Sequence, residues 1–140
     1  MATLRSIVET RIKDNVTDFK EVSGAADLRT ILVNAVNTPG CYVYRERNAA
    51  RPNDRLNIVS QQRTEQIGLI IVTRNVKDAR GGVNADESEQ LCDLIQTQLL
   101  GYEPTGYTQL GYVSGDLVLL RDGLHFWRDV YRADKTIRSI

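Results

Sequence analysis

The reactive side chains of this chain are few. It holds one histidine, His125, and two cysteines, Cys41 and Cys92. The cysteines form no CxxC pair and lie near no histidine, so a zinc site lacks conventional ligands. A Ser/His/Asp triad would have to use His125. That residue reads as mid-strand beside Phe126 and Trp127, with no nucleophile elbow, which suits a packed or surface histidine instead. Cys92 reads as mid-helix beside Asp93, and an acidic neighbour raises a thiol pKa, the wrong direction for a nucleophile. Gly81-Gly82 precedes a helix but lacks the Gly-Lys-Ser/Thr ending of a phosphate loop. The helix start is acidic, so the pair reads as a plain turn. Asp86, Glu87 and Glu89 do not alternate around a glycine as a calcium loop requires. The expectation is no enzyme, no cofactor and no metal.

Binding chemistry is better represented. The formal net charge is zero, which argues against a dedicated nucleic-acid binder. The zero conceals segregation. Residues 44–80 carry eight basic and four acidic side chains, a net of +4. Residues 81–120 carry six acidic and no Lys or Arg, a net of −6. Residues 121–140 carry five basic and three acidic, a net of +2. Two readings stand: ordinary solvated faces, or complementary patches that meet across a subunit boundary. Arg45, Arg47, Arg51 and Arg55 could also contact phosphates, but only Tyr42 and Tyr44 supply aromatic interleaving.

The elements that must position these groups fit one domain spanning residues 1–140, with 41% hydrophobic and 26% charged residues. No apolar run is long enough for a membrane span. The first residues enter an amphipathic pattern directly, so no signal peptide is expected and both cysteines read as reduced and buried. Leu4, Ile7, Val8, Ile12 and Val16 make one helical stripe with Thr3 as N-cap. A second helix is expected after Ser23, with Leu28, Ile31, Leu32 and Ala35 on one face and Asp27 near its start.

Cys41 to Tyr44 reads as a strand after Pro39-Gly40, and the polar stretch Arg45 to Asn57 as an exposed loop or hairpin tip. Residues 64–74 read as a central strand, because Ile67 to Val72 is apolar on both faces. Reaching back to Ile58, that strand would project beyond the sheet. A third helix is expected from an Asn84/Glu87 capping box, with Asp86, Glu87 and Glu89 in its first turn. Leu91, Leu94, Ile95 and Leu99 form its face, and Gly101 and Pro104 end it. Tyr112–Arg121 and Leu124–Arg132 read as strands joined by Asp122-Gly123, a strong hairpin signal. The expected class is α+β: a mostly antiparallel sheet with about three helices packed on it.

Four stretches carry a family resemblance: Ser23-Gly24-Ala25-Ala26-Asp27-Leu28; Pro39 with Tyr42-Val43 and the polar loop containing Pro52-Asn53; Gln62-Arg63-Thr64-Glu65 leading to Val72-Thr73-Arg74; and Gly115-Asp116-Leu117 with Asp122-Gly123-Leu124, Trp127-Arg128-Asp129 and Tyr131-Arg132. In order and spacing they resemble the tail terminator proteins of long-tailed bacteriophages, including Mu-like phages and prophages. The resemblance runs from the first helix to the last strand.

It implies a small virion subunit, made in the host cytoplasm, that forms a hexameric ring on the head-proximal end of the tail tube. There it stops polymerisation and offers a docking face to the neck. The implied partners are further copies of the chain, the tube protein, the neck or connector protein and the C-terminus of the tape measure. DNA would pass only in transit, and no membrane is involved. The alternatives are a head completion or neck connector protein, or a small cytosolic α+β enzyme or ligand-binding domain.

A closed ring requires two different patches on each subunit. The residues assigned to such contacts with neighbours or tube are Arg45, Arg47, Arg51, Asn53, Asp54, Arg55, Gln62, Arg63, Glu65, Asp86, Glu87, Glu89, Arg128 and Arg132. For the loop the other reading is a flexible solvent loop. For Arg63 and Glu65 it is a local bond on their shared face, and for Arg128 and Arg132 a solvated strand edge. Trp127 reads as a core residue, and an acidic helix fits either the DNA channel or the ring exterior.

Overall fold

The protein is represented by a computed structural model that describes residues 2–34, 37–75, 80 and 82–139. α1 (Leu4–Asn15) buries Leu4, Val8 and Ile12 at a four-residue spacing. Thr3 caps it in a reciprocal box. Its hydroxyl accepts the Ser6 N–H at 3.1 Å, and the Ser6 hydroxyl accepts the Thr3 N–H at 3.0 Å. Val16 continues extended, and stays buried.

The helix expected after Ser23 is present, but an unexpected strand precedes it. Glu21–Gly24 is a short strand, β1, and the second helix, α2, occupies Leu28–Asn34. A four-residue strand burying only Val22 is too short to show a period. Asp27 is the start signal for α2, since its carboxylate accepts the Thr30 N–H and hydroxyl, both at 2.8 Å. Ala35, assigned to the face of this helix, lies outside the described residues, as do Lys77 and Asp78 of the basic segment and Gly81 of the supposed turn.

The remaining elements are β2 (Gly40–Ala50), β3 (Ser60–Arg74), α3 (Gly82–Leu99), β4 (Gly111–Arg121) and β5 (Leu124–Arg138). The strands form one sheet in the order β1-β2-β3-β5-β4, with β1 parallel to β2 and every other pair antiparallel. The α+β expectation of a mostly antiparallel sheet with three helices therefore holds.

Alternation along the strands divides the core in two. Cys41, Val43, Ile67, Leu69, Ile71 and Tyr131 face α1 and α3. Tyr42, Tyr44, Ile70, Val72 and Phe126 face the other way, toward Ile31 of α2. Gly68 lies opposite Tyr44, and a Cβ there would run into the tyrosine ring. α1 and α3 are tied by Arg11, whose Nε donates to the Gln98 carbonyl at 3.1 Å and whose guanidinium lies 4.1 Å from the Tyr102 ring centroid. Asp122 (φ 53°) and Gly123 (φ 78°) form the tight turn between β4 and β5, as their types require.

Four further boundaries move, the first being the start of the central strand β3, at Ser60 rather than residue 64. The polar stretch from Arg45 is not loop throughout. β2 runs on to Ala50 and pairs with β3 as far as Ala50↔Arg63, leaving 51–59 as the connection. Residues 45–50 are all exposed, so no buried face imprints a period on them. α3 starts at Gly82, so Asn84 is not its N-cap but a buried residue of its first turn, with Nδ2 donating to the Gly123 carbonyl at 3.1 Å. Asp86, Glu87 and Glu89 therefore sit beyond that first turn, where the dipole argument is weaker. Leu94, assigned to the apolar face, is exposed; Asn84 and Ser88 take buried places beside Leu91, Ile95 and Leu99. β5 also extends past Arg132 to Arg138.

Candidate subunit interface

The extended strands build an arm. β4 begins opposite Arg132, so beyond that point β5 continues only against β3, which pairs with β2 on its other edge. The result is a ribbon, three-stranded from Glu65↔Ala133 at its base to Arg63↔Lys135 and two-stranded from there to Ser60↔Arg138 at its end. At strand rise this is about 20 Å of ribbon.

Its tip is internally bonded. Asn53 Oδ1 accepts the Ser60 N–H at 2.9 Å, and Nδ2 donates to the carbonyls of Arg55 and Ile58 at 3.1 and 3.2 Å. Gln61 Nε2 donates to the Arg51 carbonyl at 2.9 Å, and Ser139 N–H donates to the Val59 carbonyl at 2.8 Å. Leu56 stands 98% exposed among these polar residues.

The predicted contact residues on the arm separate into two groups. Glu65 is 4% exposed at the base, 3.8 Å from Arg45 Nε and 3.5 Å from a terminal nitrogen of Arg63. That is the local pairing. Gln62 donates to Asp134 Oδ2 and Thr64 to Asp134 Oδ1, both at 2.7 Å, locking β3 to β5. Arg128 is engaged too: its Nε and a terminal nitrogen bond the two Asp116 oxygens at 3.1 and 3.0 Å, and Glu46 lies 3.8 Å away. These residues shape the subunit. Arg47, Arg51, Asp54, Arg55 and Arg132 are exposed, and among the described residues none of them forms an ion pair within the chain.

The acidic counterpart lies on α3, which carries Asp86, Glu87, Glu89 and Asp93 and no Lys or Arg. Asp86, Glu89 and Asp93 share a stripe at helical spacing and are exposed. Between this helix and the β4–β5 hairpin is a cavity of about 400 Å³, lined among others by Ser88, Glu89, Cys92, Asp93, Tyr112, His125, Trp127 and Asp129.

Asp129 is 3% exposed at its back. Its Oδ1 accepts the Trp127 indole N–H at 2.9 Å and the Tyr112 hydroxyl at 3.1 Å. Partial burial and then the Asp129 charge push the Tyr112 phenol up to about 12. Cys92 is only part-buried, a correction to the expectation, while Cys41 is buried. Burial first, then Asp129, pushes the Cys92 thiol far above its ordinary range, against a nucleophilic role.

Sequence reasoning found Glu89 but missed Asp93, Asp129 and Tyr112; Trp127, read as core, packs against the core and also lines the cavity. The available signal was Asp129 itself, a carboxylate at an inward position between Trp127 and Tyr131 in a period-two strand. Among the described residues no group of His, Cys, Asp and Glu is arranged to hold a metal, and no helix is long and apolar enough to cross a membrane.

No curated protein sequence is significantly similar to this chain. Among solved structures, a chain of the virion of a native gene transfer agent particle shares the fold. Its TM-score is 0.60 at 11% identity, covering 94% of this chain and 92% of that one. The phage tail terminator protein family matches residues 3–140. Matched over nearly its whole length, this structural protein of the virion tail belongs to the phage tail terminator protein family.

Proposed function

We propose that this protein caps the head-proximal end of the tail tube as a ring of identical subunits, six in number to match the tube. The ring stops polymerisation and presents a face to the neck or connector protein, without catalysing a reaction. The tape measure C-terminus ends at the ring, and DNA crosses its channel.

The observation that carries this reading is the pair of unlike surfaces. One is a bonded arm with Arg47, Arg51 and Arg55, which have no ion-pair partner among the described residues, and the other is a helix bearing four carboxylates and no cation. A head-to-tail ring needs two such complementary patches on every subunit, and opposite potentials speed and register the encounter.

The test is assembly. Purified protein is mixed with tube protein and imaged by negative stain, with size measured alone and on tubes. Wild type is expected to sit at one tube end and limit tube length. Replacing Arg47, Arg51 and Arg55 with Glu is expected to weaken ring formation, most of all at low salt. Absence of binding to tubes at high concentration would move the assignment to a connector protein.

A further inference from the structure

The cavity beside α3 has chemistry that the capping role leaves unexplained. Among the described residues its lining contains three carboxylates, Glu89, Asp93 and Asp129, and no Lys or Arg. Asp129 is 3% exposed, and among the described residues no cation pairs with it. A buried carboxylate without a counter-charge is costly, even with the hydrogen bonds it receives from Trp127, Tyr112 and Cys92. The Ser88 hydroxyl, on a residue 2% exposed, also lines the cavity beside the Cys92 thiol. Trp127 and Tyr112 add aromatic surface, which attracts cations. Leu117, directly opposite Trp127 in the β4–β5 ladder, leaves 48% of its surface exposed. Carboxylates, a buried hydroxyl and an indole together suit a planar guanidinium better than a bare metal ion, for which the described residues offer no ligand set.

We propose that this cavity is a socket for an arginine of a second copy of the chain, delivered by the β2–β3 arm. The proposal rests on the ring reading and specifies its contact. Charge complementarity selects the occupant. Arg47, Arg51 and Arg55 are exposed and form no ion pair among the described residues; Arg47 stands at the foot of a bonded ribbon about 20 Å long and Arg51 and Arg55 farther out, which lets them reach past their own subunit's core. Seating one of them beside Asp129 supplies the missing counter-charge and covers Leu117 and Tyr112.

The chain carries a single tryptophan, so Trp127 reports the socket directly. Full-length protein is made with 5-hydroxytryptophan at this position, which can be excited apart from any tryptophan in tube protein. Emission and sedimentation are followed over a concentration series, alone and with tube protein. Association is expected to shift the emission. Asp129→Asn, which preserves the hydrogen-bond acceptor, and the triple variant Arg47→Gln, Arg51→Gln, Arg55→Gln are each expected to weaken association at least tenfold. Combining them is expected to cost much less than the product of the two effects.

If Asp129→Asn assembles as wild type, or assembly leaves the emission unchanged, the socket is wrong and the ring stands. If wild type does not self-associate even on tubes, the ring reading fails and the socket with it. Circular dichroism checks the fold. Should Asp129→Asn misfold, the arginine variant, altered only at exposed side chains, decides alone: unshifted emission with weakened assembly supports the socket, and wild-type assembly overturns it.

Discussion

The indole N–H of Trp127 donates to Oδ1 of Asp129 at 2.9 Å, across one intervening residue on the same face of β5. The Tyr112 hydroxyl reaches the same oxygen from β4. The three side chains can converge because Gly115 lies between them. A Cβ there would collide with the Tyr112 hydroxyl and stand 2.7 Å from Asp129 Oδ1 and 3.1 Å from the Trp127 ring. Gly115→Ala is therefore expected to displace the cluster at a cost of about 1–2 kcal/mol. Urea denaturation followed by Trp127 emission measures it. A variant with wild-type midpoint and emission would show that the cluster is not held by this contact.

Four phenols make the fold sensitive to alkali. Tyr112 is pushed up to about 12, and burial pushes Tyr42, Tyr44 and Tyr131 higher. The unfolded chain releases these protons near pH 10, while the folded chain still holds them. Their contribution to stability is therefore complete below about pH 10 and is lost as pH climbs through the folded values. Melting temperature is expected to fall from about pH 10 upward, and a flat profile to pH 12 would contradict the burial of these hydroxyls. In Asp129→Asn, the ring resonance of Tyr112 is expected to titrate closer to 10.

Glu65 closes the base of the arm between two arginines. Glu65→Gln leaves Arg45 and Arg63 facing each other without the negative charge. Arg45 keeps more than half of its side chain in solvent, so the expected loss is about 1–2 kcal/mol, less than for a fully buried pair. Amide hydrogen exchange is expected to speed up at residues 47–50 more than at residues 67–72. Equal acceleration in both segments would mean that Glu65 supports the whole sheet instead of the arm.

The fold was readable where one face of an element is buried. Leu4, Val8 and Ile12 repeat because α1 lies on the sheet, and Ile67 to Val72 is apolar throughout because β3 is covered on both sides. Asp122-Gly123 was readable for another reason: its conformation suits only a few residue types. The arm was hidden by the same logic. Arg45 to Ala50 is exposed on both faces, so strand and loop look alike in composition. β1 was hidden by brevity. Leu94 and Ser88 exchanged roles because a cavity interrupts the apolar stripe of α3. The charged surfaces were legible as a segregation along the chain. Asp129 was not, since it counts there as one carboxylate in a basic segment.

The arm also carries a timing constraint. β3 runs through its centre, but one of its flanks comes from residues 133–138, some seventy positions later in the chain. Contacts so distant in sequence close slowly, after most of the sheet is in place. Without residues 133–138 the ribbon would consist of β2 and β3 alone and would lack the Asp134 anchors for Gln62 and Thr64. The bracing of the ribbon between Arg47 and Arg55 thus depends on a strand made some seventy residues after the one it flanks.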